Sequence, residues 1–170
     1  DLNRLTQEPL TGRKLQFNLY PVSFNELVKF HGLHIEKRLL NERLIYGSYP
    51  EIINNPGKEK LLLKQLTESY LFQDVLMYGG IKKPEILTKL LRLLALQVGS
   101  EVSFNELGSQ LGVSSELVEK YIGLLEKVFV VFRLSAFSRN HRNEIKKSKK
   151  IFFYDNGIMN ALNSSFSNIE

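Results

Sequence analysis

Apolar residues recur along this chain mostly three and four apart, the helical spacing, with short alternating runs near both ends. After a turn signal at Pro9-Leu10-Thr11-Gly12, Leu15, Phe17 and Leu19 alternate with Gln16, Asn18 and Tyr20. That alternation predicts a half-buried strand, stopped by Pro21. Ser23-Phe24-Asn25-Glu26 is a capping box, in which hydroxyl and carboxylate satisfy amide N–H groups at the start of a helix that Gly32 ends. A second helical stretch carries Ile35, Leu39 and Leu40 on one face and stops at Gly47 and Pro50.

Beyond the turn cluster Asn54-Asn55-Pro56-Gly57, the spacing of Leu62, Leu66, Tyr70 and Leu71 predicts one long helix over 58–78, closed by Gly79-Gly80. Lys82-Lys83-Pro84 reads as a linker into a helix whose apolar face is Ile86, Leu90, Leu91, Leu94 and Val98. A second capping box, Ser103-Phe104-Asn105-Glu106, opens a short helix with Leu107 and Leu111 inside. Gly112 turns the chain, Ser114 caps, and a third helix runs from about Ser115 to Lys127. Helix, short helix, glycine-containing turn, helix is the helix-turn-helix order. Two strand-like runs follow, Phe129 to Leu134 and Ile151 to Tyr154. The expected fold is therefore mainly α with a small β hairpin: a helical subdomain over 23–84, then a winged-helix domain over 85–154 with residues 138–150 as its wing.

Charge changes this picture in one place. The 170 residues carry a net charge of +5, and the stretch 138–150 alone accounts for it. Arg139, Arg142, Lys146, Lys147, Lys149 and Lys150 lie there with one acid, Glu144, while the rest of the chain balances 17 basic against 17 acidic residues. A surface basic all over, as a DNA-coating protein needs, is excluded. The absence of Cys excludes disulfides, thiolate metal sites and Cys nucleophiles, and fits a cytoplasmic location. The longest apolar run, Val128 to Phe132, is five residues, so no membrane partner is expected. The chain opens on Asp1 without an initiator Met or a signal-peptide pattern, which reads as a piece of a longer protein.

Catalytic constellations are sparse. No Gly-x-x-x-x-Gly-Lys-Ser/Thr loop occurs: the pair Gly57-Lys58 has Ile52 and Glu59 where the first glycine and the hydroxyl belong. His31 and His34 lack an acid to complete a metal site and read, with His141, as surface or helix-end residues. Asp155-Asn156-Gly157 reads as a turn capping a short helix over Ile158 to Leu162, with a catalytic carboxylate as the other reading. Asp74 is either paired with a cation between domains or solvated.

The helix-turn-helix invites a DNA-binding reading, so the third helix decides. With Val118, Tyr121, Ile122 and Leu125 inward, its outward side holds Ser115, Glu116, Glu119, Lys120 and Gly123, with Glu126 and Lys127 near the end. A helix entering the major groove wants cations or amides, and two glutamates in its leading half make a poor groove reader. A packing surface is the better reading. The six wing cations could contact phosphates without sequence preference, dock on an acidic protein surface, or simply be solvated.

Several blocks then line up with a known pattern. Leu10-Thr11-Gly12-Arg13 and Leu19-Tyr20-Pro21-Val22-Ser23-Phe24-Asn25-Glu26-Leu27 resemble the end of the core in prokaryotic AAA+-like P-loop ATPases. Tyr46-Gly47-Ser48-Tyr49-Pro50 is similar to that group's Gly-Gly-x-Pro element, with Ser48 in place of a glycine, and Tyr70-Leu71-Phe72-Gln73-Asp74-Val75 to its Tyr-x-x-x-Asp helix. Lys149 to Ile158 resembles its Pro-Lys-x-Tyr-Phe-x-Asp-x-Gly-Leu strand without the proline. The resemblance implies a C-terminal region: residues 1–22 as the tail of an ATPase core, and 155–170 as the start of a truncated nuclease-like part. ATP and magnesium then belong to the parent protein's core, upstream of Asp1, and not to this fragment. Arg13 would be a sensor or finger arginine, or a structural one at a strand edge. No catalytic set appears in the chain itself, no metal or cofactor is expected in it, and self-association stays open. The function expected is a non-catalytic regulatory or interaction fragment whose winged helix packs on protein, with phosphate contact through the wing as the alternative.

Overall fold

The structure is a computed structural model that describes residues 18–70, 83–135 and 149–167. Helix α1, Phe24–His31, opens on the expected capping box: Ser23 Oγ accepts the Glu26 N–H at 3.3 Å, and the Ser23 N–H donates to Glu26 Oε2 at 2.8 Å. The next helical stretch is split into α2, Leu33–Arg38, and α3, Leu40–Tyr46, with Leu39 between them. Pro50 proves to be a start rather than a stop. It occupies the first turn of a short helix α4, Pro50–Ile53, where its missing N–H costs nothing.

The expected long helix begins as α5, Glu59–Gln65, and widens into a π-turn over Leu66–Tyr70. Thr67 is buried there, and its hydroxyl donates back to the carbonyls of Leu63 at 2.9 Å and Lys64 at 3.1 Å, which loosens the α ladder. Residues 71–82, including Asp74, lie outside the described residues. So do 1–17, and with them Arg13, Leu15 and Phe17. Asn18 to Tyr20 form no strand, and Leu19 is 91% exposed rather than half-buried.

Helix α6, Pro84–Leu96, starts on Pro84 and buries Leu87, Leu90, Leu91 and Leu94 completely or nearly so. It ends before Val98, which is partly exposed. Strand β1, Glu101–Val102, precedes α7, Phe104–Leu111, and α8, Ser115–Lys127. Ser103 caps α7 and Ser114 caps α8, as their positions predict. Strands β2, Val131–Ser135, and β3, Lys149–Phe153, pair antiparallel with Phe132 opposite Phe152. β1 adds to the other side of β3, giving a three-stranded sheet of order β1-β3-β2. Helix α9, Asn156–Leu162, follows at once. The protein is thus mainly helical with a small antiparallel sheet.

One hydrophobic cluster runs through these elements. It joins Ile52 and Leu63 to the leucines of α6, to Val118, Tyr121, Ile122 and Leu125 of α8, and to Val131, Ile151 and Phe153 of the sheet. Each fully buried leucine contributes about 1.5–3 kcal/mol. Ile158 brings α9 into the same cluster, and α9 packs on α3, α5 and α6.

What holds α9 there is Asp155. Its carboxylate is buried, accepting the Ser48 N–H at 2.7 Å and the Ile158 N–H at 3.1 Å, with the Gly157 N–H also aimed at it. This is the N-cap expected of Asp155, extended by a contact 107 residues away. Burial pushes the carboxyl above its ordinary range, against the pull of the three N–H donors. Asn160 returns the contact, its amide donating to the Ile45 carbonyl at 2.7 Å and the Leu44 carbonyl at 3.3 Å. The approach leaves no room for side chains: a Cβ on Gly47 would sit 2.0 Å from Asp155 Oδ1, and one on Gly157 2.1 Å from the Tyr46 carbonyl oxygen.

Gly157→Ala should therefore destabilise the fold by about 3 kcal/mol, the upper range for overpacking against backbone that cannot yield. Gly57→Ala, in the left-handed region but facing open space, should cost only about 1–2 kcal/mol. Urea titration of both variants measures the difference, and equal losses would show that the close approach at Gly157 is not a constraint.

Candidate interaction surface

The exposed side of α8 presents Glu116, Glu119, Lys120 and Lys127, while Val118, Tyr121, Ile122 and Leu125 are buried as their spacing predicts. Two of the helix's acids meet a cation that sequence reading passed over. Arg133 on β2 donates from Nε to Glu126 Oε2 at 2.8 Å, bonds the same carboxylate through Nη2, and holds Nη1 3.6 Å from Glu119 Oε1. The Arg133 backbone N–H donates to Glu126 Oε1 at 3.0 Å. Because the Ile151 carbonyl accepts from Gly99 N at 3.3 Å, on the β1 side, the Arg133–Ile151 pair exchanges no ladder bonds. The Arg133 N–H therefore points off the free edge of β2, and Glu126 blocks that edge against further strand addition.

Of the six basic residues that make the chain cationic, Arg139, Arg142, Lys146 and Lys147 lie outside the described residues. Lys149 and Lys150 are the first two residues of β3 and not part of a loop: the strand begins two residues earlier than its apolar pattern predicts. Being adjacent in a strand, they point to opposite faces. Lys150 is exposed and stands between Leu134 on β2 and Glu101 on β1; Lys149 is half-buried.

The same alternation puts Phe152 and Tyr154 on the Lys150 side, away from the core. Phe132 stacks on Phe152 across the strands at 5.6 Å and lies 5.0 Å from the Tyr154 ring. Phe129 and Tyr20 extend the row: Tyr20 stacks on Tyr154 at 5.3 Å and meets Phe129 edge-on at 5.4 Å. Phe129 takes a left-handed backbone conformation, φ 57°, at the end of α8, where glycine is usual. That costs about 1–2 kcal/mol. The sequence signal for this row is the pair of aromatic residues two apart at 152 and 154, but their partners come from two other segments, at Tyr20 and at Phe129 and Phe132.

A second cluster joins the first three helices. Glu36 is fully buried, and Arg43 grips it with two bonds, Nε to Oε2 at 3.1 Å and Nη2 to Oε1 at 3.0 Å. His31 Nδ1 lies 2.6 Å from Oε1. The Arg43 guanidinium holds the Glu36 carboxyl below the usual carboxylate range; burial works against it and His31 adds to it. Beside this cluster a cleft of about 230 Å³ is lined by Ile35, Leu39, Arg43, Tyr46 and Ile52 among others. Its histidine and arginine are already engaged by Glu36, so they are structural rather than free for chemistry. Among the described residues no group of three His, Cys, Asp or Glu could hold a metal ion, and no helix is long and apolar enough to cross a membrane.

Residues 37–168 match a family model described as a domain of unknown function, DUF8612. The chain is similar to an uncharacterised protein of Haemophilus influenzae, 27% identical over 160 residues that cover 88% of this chain and 40% of that protein. It is also similar to an uncharacterised protein of Methanocaldococcus jannaschii, 25% identical over 147 residues covering 76% and 33%. The chain thus spans less than half the length of these relatives. No solved structure matches it.

The Glu36 cluster predicts an acid limb of instability. A carboxyl whose folded pKa is lowered contributes stability that is complete above its unfolded value, about 4.3, and is lost as pH falls through the lowered value. Glu36→Gln should cost about 3 kcal/mol at neutral pH, by leaving Arg43 without its anion, and should flatten the acid limb. Denaturant titrations between neutral pH and pH 3 test this; an acid limb unchanged in the variant would assign the loss to other carboxyls.

Proposed function

The chain belongs to the DUF8612 family, and on that premise we propose that it is a non-catalytic interaction module of a longer protein, a winged helix that packs on protein through α8. The observation that carries this reading is the outward side of α8. It offers Glu116 and Glu119 where a groove-reading helix needs cations, and the nearby Arg133 is tied to Glu126. The order α6, β1, α7, α8, β2, β3 supports the winged-helix reading, as does the sheet order β1-β3-β2. The parent is an AAA+-like P-loop ATPase. This rests on the resemblance of the blocks at 10–27, 46–50 and 149–158 and on the greater length of the relatives. ATP and magnesium would then be held by that core and not by this chain.

A second reading is favoured by one observation, the confinement of the net charge to 138–150 with Lys150 exposed at its end. In it the wing contacts duplex phosphates without reading sequence.

A random-sequence duplex separates the two. The packing reading expects no duplex binding even at low ionic strength. It also expects the purified remainder of the longer polypeptide to bind this chain, with that binding weakened by Glu116→Lys and Glu119→Lys. The wing reading expects log affinity to fall with log salt by about 0.9 per phosphate neutralised. It further expects replacement of Lys146, Lys147, Lys149 and Lys150 by Ala to abolish binding, and Glu119→Ala to leave it intact. Anisotropy measured across a salt series shows which holds.

A further inference from the structure

Helices α1 and α2 are arranged inside out. Neither contributes a residue to the core cluster or to the side chains packed against it. What joins them is the buried Glu36 with Arg43 and His31, while Phe30, Leu33 and Ile35 stand outward. Phe30 is 84% exposed, and Lys29 beside it is exposed as well. The cleft next to the charged cluster has the opposite shape. Ile35, Leu39 and Tyr46, at helical spacing, line it from the α2–α3 stretch and Ile52 lines it from α4. At about 230 Å³ it falls below the ~300–1,000 Å³ of small-molecule pockets and has the size for one large side chain. Arg43 and His31 also line it but are engaged by Glu36, so the charges left there are the acids Glu42 and Glu59. Glu42 is exposed and, like Lys29, makes no ion pair among the described residues.

We propose that this face pairs two copies of the chain about a two-fold axis, with Phe30 of each copy seated in the cleft of the other. Shape and charge select that occupant. A two-fold contact needs knob and hole on one patch, because each copy must supply both. Phe30 meets this condition: its ring lies edge-on to that of His31, 4.9 Å away, and His31 lines the cleft. The knob carries Lys29 and the cleft carries Glu42 and Glu59, so a second copy brings opposite charge to both contacts. Aromatic side chains seated in pockets supply a large share of the binding energy of protein interfaces. The same contact takes Phe30 and its outward neighbours Leu33 and Ile35 out of water. The inference is independent of packing through α8.

Sedimentation velocity of the whole chain across a concentration series reads the association. A monomer–dimer equilibrium is the expected result. Phe30→Asp, at a side chain the fold does not bury, should weaken it about 30-fold or more. Ile35→Arg, which obstructs the cleft, should weaken it similarly. Mixed in equal amounts, these two variants should associate more strongly than either alone, because the intact Phe30 of one meets the open cleft of the other. Lys29→Glu and Glu42→Lys should each weaken the dimer, and the two changes combined should restore it. Thermal melts establish that the variants remain folded. Three results would overturn the proposal: a chain that stays monomeric at every concentration, a dimer that Phe30→Asp leaves at full strength, or no gain on mixing the two variants. A monomeric chain that binds the purified remainder of the longer polypeptide, and loses that binding with Phe30→Asp, would assign the face to that partner instead.

Discussion

The fold turns on a buried carboxylate. Asp155 lies two residues past β3, caps α9, and holds the backbone at Ser48 from the far side of the sequence. Burying an anion is costly unless donors surround it, and here backbone N–H groups from two segments supply what water would have supplied. Those donors can converge only because Gly47 and Gly157 have no Cβ, so three residues spread over 111 positions act as one joint. Asn160 makes the joint reciprocal: the end of α3 gives an N–H to the start of α9 and receives N–H donors at its own terminal carbonyls. The first helices and the hairpin are thereby fixed to each other by directional bonds, in addition to the non-directional core.

The other internal carboxylates follow the same logic at lower cost. Glu36 and Glu126 each take an arginine side-on, and Glu126 also takes a backbone N–H, so that each acid organises a junction between elements. Glu36, Glu119 and Glu126 meet cations, and Asp155 meets backbone amides.

Signals within one element were legible, and contacts between elements were not. Ser23, Ser103, Ser114 and Asp155 cap helices where their side chains predict it, and the apolar periods of α6 and α8 identify their buried faces. The misreadings share a cause. Pro50 was read as a stop because the helix it begins is one turn long, too short to show a period. The π-turn depends on Thr67 choosing the backbone over solvent, and β1 has only two residues. Glu36 and Arg133 meet partners five to fourteen positions away, but across element boundaries where neither the helical nor the strand period continues, and the aromatic row joins residues as far apart as Tyr20 and Tyr154, 134 positions. Of the strand expected at 15–19, residues 15–17 lie outside the described residues; Asn18 to Tyr20 form no strand, and the Tyr20 ring packs on Tyr154 and Phe129 beside the sheet.

The two faces of that sheet are apolar for different reasons. Val131, Ile151 and Phe153 are buried against α6 and α8, and their burial drives folding. Phe132, Phe152 and Tyr154 gain only partial cover, from one another and from Tyr20. A hairpin needs one apolar face to be held in place, and the core already provides it. The second face therefore adds little to the stability of the helices beneath, while leaving large half-buried rings beside an exposed lysine. Phe129 sharpens the point, since a left-handed backbone at a helix end is accommodated most cheaply by glycine, yet a ring is placed there. Those rings lie on the side of the sheet the core does not use, and they are covered chiefly by one another.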